Sequence, residues 1–226
     1  MTITYENSAA FESDFASSLS GSFNAGTNSD RLVVVLALTD RAGATTISSA
    51  TYGGVAMTAH TASNHASGYD FRLFYLAGAA SGSNTLAVTY SDGNMKPKML
   101  AGAWSGVDQT TPVSGLTNGT GSTSTPSWMV TSATGELVAQ FGGQIGATSA
   151  SPGSPAVERI DQQFGTTGFY GWLWEEDGAA SVTINGTLSG VAEWFGTAFS
   201  IKAASAGLVV NPLTGIGGSA ARPLAG

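Results

Sequence analysis

The chain has 226 residues, 42% hydrophobic and only 10% charged, with 31 Gly, 28 Ser and 26 Thr. A chain of this length buries roughly 70–75% of its unfolded surface, and low charge with 9% aromatic residues argues against wholesale disorder. The net charge of −7 repels phosphate backbones and anionic lipid faces, and without Cys neither a disulfide framework nor a thiolate metal site can form.

The opening MTITYENSAA has no basic start followed by an apolar run, so no secretory leader is expected. The longest apolar run, Leu32 to Leu38, falls far short of the ~20 residues a membrane helix needs. A soluble protein without an anchor is therefore expected.

Gly, Asn, Asp, Ser and Pro interrupt segments rich in Val, Thr, Tyr, Phe and Trp throughout the chain, which is the pattern of an all-β protein. Ala9 to Leu19 repeats Phe11, Phe15 and Leu19 at helical spacing, but its Ser-rich surroundings favour a strand or an irregular arm. Leu32 to Leu38 predicts a central strand buried on both faces. Gly53-Gly54 predicts a tight hairpin between Ile47–Tyr52 and Val55–His60. Tyr69 to Leu76 alternates with period two, as do Thr85 to Tyr90 and Glu193 to Ile201. Met99–Trp104, Glu136–Phe141, Val157–Gln163, Phe169–Trp174 and Ser181–Ile184 complete a set of about ten strands, too many for one open sheet. The expectation is a two-sheet antiparallel β-sandwich over residues 1–202, jelly-roll-like, with a core including Val33, Val35, Leu73, Leu86, Val88, Trp104, Leu137, Phe195 and Phe199.

Ala203 to Gly226 changes character, with five Gly, two Pro and one charged side chain, Arg222. Such a segment cannot form a regular element by itself. It is expected to be an extended C-terminal arm whose Leu208, Val209, Val210, Pro212, Leu213 and Ile216 lie against a partner.

Chemistry is sparse. His60 and His65 have no acidic cluster beside them except Asp70, so a metal site is not expected. Ser105 in GAWSGVD lacks the strand–turn–helix context of a nucleophile elbow. Glu175-Glu176-Asp177 follows Trp172 and Trp174. In a strand Glu175 and Glu176 point to opposite sides, so the group reads as a solvated charged turn before it reads as a glycosidase pair. Asp92-Gly93-Asn94 reads as a turn, and Asn118-Gly119 and Asn185-Gly186 read as Asn-Gly turns. Asp108 is placed to accept backbone hydrogen bonds where Pro112 ends pairing. No catalytic residue, cofactor or metal is expected.

Four pieces in order, TYGGVAMT at Thr51–Thr58, FYLAGAASGSNTLAVTY at Phe74–Tyr90, AGAWSGVDQTTPV at Ala101–Val113 and TSATGELVAQ at Thr131–Gln140, resemble a β-sandwich family of tailed bacteriophages and phage-derived bacterial regions. The resemblance spans roughly residues 30 to 200 and brings no catalytic residue with it. It implies a virion component, assembled in the host cytoplasm, foremost a capsid decoration or cement protein that binds the major capsid protein or other virion proteins as a homo-oligomer such as a trimer. The competing expectations are a carbohydrate-binding module of a tail or fibre, using Trp172, Trp174 or Trp128 as a sugar platform, and a glycan-degrading enzyme on a jelly roll.

Overall fold

A computed structural model describes residues 2–39, 46–60, 63–65, 69–146, 149–165 and 168–205. In these residues the chain forms antiparallel strands and no helix. The strands of the first half are β1 (Thr4–Glu12), β2 (Ser18–Asn24), β3 (Leu32–Thr39), β4 (Ile47–Tyr52), β5 (Val55–Ala56), β6 (Thr58–Ala59), β7 (Ser63–His65), β8 (Tyr69–Ala77), β9 (Ser83–Tyr90) and β10 (Lys98–Ser105). Those of the second half are β11 (Val113–Thr123), β12 (Ser127–Thr131), β13 (Leu137–Ile145), β14 (Ala150–Pro152), β15 (Val157–Phe164), β16 (Phe169–Asp177), β17 (Ser181–Leu188) and β18 (Ala192–Ile201).

The expectation of two sheets is corrected: four sheets form. Sheet I runs β1-β10-β3-β8-β6, with β7 also on β8, and sheet II runs β2-β9-β4-β5. Sheet III runs β11-β18-β13-β16-β15, and sheet IV runs β12-β17-β14. Three apolar cores join them. The first, with Leu19, Val33, Val35, Tyr52, Leu86 and Val88, lies between sheets II and I. The second, with Leu32, Val34, Leu73, Trp104, Phe141 and Phe199, lies between sheets I and III. The third, with Trp128, Val138, Trp172, Trp174, Ile184 and Trp194, lies between sheets III and IV. The sheets therefore stack in the order II, I, III, IV.

This stacking explains the unbroken apolar run of β3. Successive side chains of a strand point to opposite faces, so Val33, Val35 and Ala37 enter the first core while Leu32, Val34, Leu36 and Leu38 enter the middle one. A strand on an outer sheet would need one polar face; a strand of sheet I has two buried ones.

The halves share one chain path. Replacing β1, β10, β3, β8 and β6 by β11, β18, β13, β16 and β15 turns the order of sheet I into that of sheet III, and β2-β9-β4 becomes β12-β17-β14 in the same way. Even the irregularities coincide: the pairing of β1 with β10 slips between Tyr5 and Asn7, and that of β11 with β18 slips between Ser114 and Thr117.

Of the nine expected core residues, eight are fully buried, and Leu137 is half-buried against the middle core. Gly53 and Gly54 have φ of 57° and 80°, and Tyr52 pairs with Val55 across them, so the hairpin forms as expected. Its second arm is shorter than Val55–His60, because β6 leaves to pair with β8 in sheet I. Phe11 and Leu19 fall on β1 and β2, with the exposed Phe15 at φ 43° between them.

Asn118-Gly119 and Asn185-Gly186 are not turns; they lie inside β11 and β17. The glycines there make room for indole rings. A Cβ on Gly119 would sit 2.4 Å from Trp128 Nε1, and one on Gly186 would sit 2.2 Å from the Trp174 ring.

Candidate functional site

Period two decides the fate of the acidic group at the end of β16. Phe169, Leu173 and Glu175 share the face that meets sheet I, while Tyr170, Trp172, Trp174 and Glu176 share the face that meets sheet IV. Glu175 and Glu176 thus point apart, as expected. Glu175, however, is not a solvated turn charge: it is 5% exposed at the seam between the halves. Its Oε2 accepts a hydrogen bond from Trp104 Nε1 at 2.9 Å, and its Oε1 accepts one from Arg159 Nε at 2.6 Å, with Arg159 Nη2 forming an ion pair to the same oxygen. The guanidinium in turn lies 4.2 Å from the centre of the Tyr5 ring. A carboxylate can stay charged when buried only if donors and a counter-charge replace water, and here both halves supply them. Sequence spacing gives no hint of this, because the donors come from β10 and β15, and Trp104 stands 71 positions from the Glu175 of β16.

Two clefts open beside this pair and share Leu137 and Asp177 in their walls. One, about 280 Å³, lies between the Thr2-Ile3 segment, the turn at Thr134–Glu136 and Asp177-Gly178. The other, about 220 Å³, is bounded by Pro155, Val157, Arg159, Glu175 and Glu176. Burial, and secondarily the charge of Asp177, raises the Glu176 carboxyl above its ordinary range. Glu136 Oε2 accepts from Ser200 Oγ at 2.6 Å and from Ser132 Oγ at 3.2 Å. Asp177 lines both clefts, beside Glu136 in one and beside Glu175 and Glu176 in the other; Glu175 is tied to Arg159 and Trp104, and Glu136 to Ser132 and Ser200.

The proposed sugar platforms are corrected outright. Trp172, Trp174 and Trp128 are 0%, 0% and 3% exposed. Trp172 and Trp174 stack at 5.1 Å between ring centres, and Trp128 meets Trp194 at 4.9 Å, all inside the third core. The signal that marks them as interior is the glycine content of neighbouring strands: Gly142, Gly119, Gly121 and Gly186 each leave space for one of the four rings.

Ser105 is buried at the end of β10 and donates its hydroxyl to Glu6 Oε1. His60 is half-buried, and burial, then the charge of Arg72, lowers its pKa. Among the described residues no group of three His, Asp or Glu is placed to hold a metal ion. Asp92 Oδ1 accepts from Asn94 N–H at 2.9 Å, the geometry of the expected turn.

Asp108 accepts from Thr110 N–H at 2.8 Å and Thr111 N–H at 2.7 Å, as its position before Pro112 predicts. These two bonds, that of Thr111 foremost, hold its carboxyl below the usual carboxylate range. The start of the expected arm is tied to the body here: Ala203 bridges Val107, and Ala204 N–H donates to Gly106 O at 2.8 Å. Leu208, Val209, Val210, Pro212, Leu213 and Ile216 lie outside the described residues.

No known protein family, curated protein or solved structure matches this chain.

Proposed function

We propose that this chain is a structural virion protein of the tailed-phage type, a capsid decoration or cement protein assembled onto the particle in the host cytoplasm. The observation that carries the reading is where the reactive side chains go. Glu175 is held by Arg159 and Trp104, Ser105 by Glu6, and the tryptophans by the third core. These side chains, each capable of chemistry, are thus absorbed in holding the strands and sheets together, which suits a protein whose task is to be a rigid block. The motif resemblance of residues 30 to 200 supports the same reading. It includes no enzymatic activity, cofactor or metal, and its partners are the major capsid protein or other virion proteins and further copies of the chain in a homo-oligomer.

Each half is read as jelly-roll-like. In β1-β10-β3-β8 facing β2-β9-β4-β5, early and late strands interleave within each sheet, the arrangement produced when a long hairpin rolls up into two Greek keys. Ala203 to Gly226, whose first two residues are tied to Val107 and Gly106, is read as the attachment arm. Multivalent display offsets the ordering entropy of such a segment.

The test uses the full chain and a truncation after Ser205, which keeps the Val107–Ala203 bridge. Both are added to undecorated particles encoded alongside the gene, and bound copies are counted by electron microscopy. Saturable, ordered binding by the full chain and reduced occupancy by the truncation are expected. Failure of the full chain to bind such particles overturns the reading, and binding to glycan arrays instead would favour the tail or fibre carbohydrate module.

A further inference from the structure

Charge is distributed unevenly among the sheets. Strands of sheets I and III carry Glu6, Glu12, Asp70, Lys98, Glu158 and Glu175 among others, whereas no residue of β2, β4, β5, β9, β12, β14 or β17 is charged. The two outer sheets are therefore neutral in a chain of net charge −7, and they are where a second copy meets least repulsion.

The sheet edges narrow the choice. An edge strand displays unpaired backbone groups and pairs with other chains unless something prevents it. Among the described residues, β5, β6, β7 and β14 are too short to template a partner, β1 and β11 are broken by register shifts, and β15 carries both a shift and the charges of Glu158, Arg159 and Asp161. Two edges keep regular pairing and no charge, β2 and its counterpart β12. The edge of β12 is approached at one end by β11, since a Cβ on Gly115 would lie 2.7 Å from Thr131 O, and that of β2 is approached at its Asn24 end by β1. Of the two, β2 is the longer, seven residues against five, and offers more outward backbone groups.

The hydrogen-bond phase of β2 fixes which groups it offers. Tyr90 N–H donates to Ser17 O at 2.8 Å and Ala25 N–H donates to Gly82 O at 3.1 Å. Antiparallel pairs alternate between bonded and non-bonded, so residues 17, 19, 21, 23 and 25 bond β9, and the backbone groups of Ser18, Ser20, Ser22 and Asn24 point outward. Asn7 Nδ2 takes the carbonyl of Asn24 at 3.1 Å. Ser18, Ser20 and Ser22 remain, all exposed and small.

We propose that a second copy of this chain docks on this edge, with β2 pairing antiparallel to β2 of the other copy about a two-fold axis at Ser20. Ser20 faces Ser20, Ser18 faces Ser22, and three bonded pairs exchange N–H···O bonds in both directions. Sheet II becomes one continuous eight-stranded sheet, with Leu19 and Gly21 meeting across the axis on the face of the first core. The contact is isologous and closed. It is a property of the isolated chain and stands or falls separately from particle binding.

Sedimentation of the full chain across a concentration series tests this. The expected result is reversible dimerisation that strengthens as salt rises, because salt screens the general repulsion between two copies of charge −7. Ser20→Pro removes the outward N–H at an edge position where proline is tolerated, and Ser20→Lys sets two like charges opposite each other. Each is expected to weaken dimerisation at least about tenfold while leaving the thermal transition of the monomer in place. Thr183→Lys, on the exposed face of sheet IV, serves as the control and is expected to dimerise like the wild type. A wild type that stays monomeric, association that salt weakens, or Ser20→Pro and Ser20→Lys that dimerise like the wild type would each overturn the proposal.

Discussion

The first and second halves of this molecule solve the same topological problem with different materials. Between sheets I and II the core is mainly aliphatic, with Val33, Val35, Leu86 and Val88, and the hydroxyl of Tyr52 is satisfied by the carbonyls of Phe23 and Gly82. Between sheets III and IV four tryptophans fill the space, and glycines in neighbouring and facing strands receive them. The third core is also the more polar. Gln140 Oε1 accepts from Trp172 Nε1 at 2.6 Å, yet Gln140 Nε2, Gln144 Oε1, Trp128 Nε1 and Trp174 Nε1 have no hydrogen-bond partner among the described residues. Strand order is evidently compatible with either filling, since pairing is made by backbone groups common to every residue and the side chains need only fill the gap between sheets. Large rings fill that gap with fewer side chains but require Gly opposite and strand N–H donors such as indoles to be buried, which costs free energy wherever a partner is missing.

The largest expected effect falls on the aliphatic half. Val35→Asp places an uncompensated charge in a fully buried site of the central strand, and soluble expression is expected to be lost, as read by the fraction of chain in the cleared lysate. A soluble, cooperatively melting Val35→Asp protein would mean that the first core tolerates charge and that the contrast between the halves is misdrawn.

At the seam, Glu175→Gln removes the counter-charge of Arg159 while leaving an acceptor for Trp104. A loss of about 1.5–3 kcal/mol is expected from equilibrium denaturation, with Arg159 partly solvated and so below the cost of a fully buried charge. Glu176→Gln, one residue on and facing the other way, should stay within about 0.5 kcal/mol. Equal effects of the two would show that the seam does not depend on this pair.

In the tryptophan half, a Cβ at Gly142 would come within 2.4 Å of the Trp172 ring. Gly142→Ala is expected to destabilise by about 1–3 kcal/mol. Combined with Trp172→Leu it should cost less than the sum of the two single changes, because the smaller side chain vacates the space that the new methyl needs. Additive costs would mean that ring and glycine do not form a packing pair.

The smallest effect concerns the connection between the halves. The carboxyl of Asp108 is held below its unfolded value, so its contribution is present above the unfolded pKa and lost as pH falls through the folded one. Asp108→Asn should therefore melt below the wild type at neutral pH by a gap that closes as pH drops below about 4. A gap independent of pH would assign the role of Asp108 to shape alone.

Strand content was legible in the sequence because period two, turn residues and the double-sided run Leu32 to Leu38 are local signals. The strand order shared by the halves was not read from the sequence, where it leaves only faint parallels: Gly78-Ala79-Ala80-Ser81 follows β8 as Gly178-Ala179-Ala180-Ser181 follows β16, and Ala103-Trp104-Ser105 in β10 parallels Ala198-Phe199-Ser200 in β18. Shared topology with little shared side-chain identity leaves only such fragments. The site was less legible. Glu175 beside two tryptophans looks the same in sequence whether it faces water or Trp104, and a tryptophan in an alternating strand looks the same on an inner or an outer face.

What the sequence by itself determined is the all-β character, most strands of the central sheets though not β11, the Gly53-Gly54 hairpin and the bonding of Asp108, each fixed by residues within a few positions of one another. What only the tertiary structure decided is that four sheets form where two were expected, that Asn118-Gly119 and Asn185-Gly186 lie in strands, that the tryptophans are interior, and that Glu175 is buried. Each of these depends on which face meets which sheet. That is settled by contacts between residues some 70 to 150 positions apart, such as Trp104 with Glu175 and Ser8 with Arg159, and a local period reports that a strand has two faces without saying what lies against either.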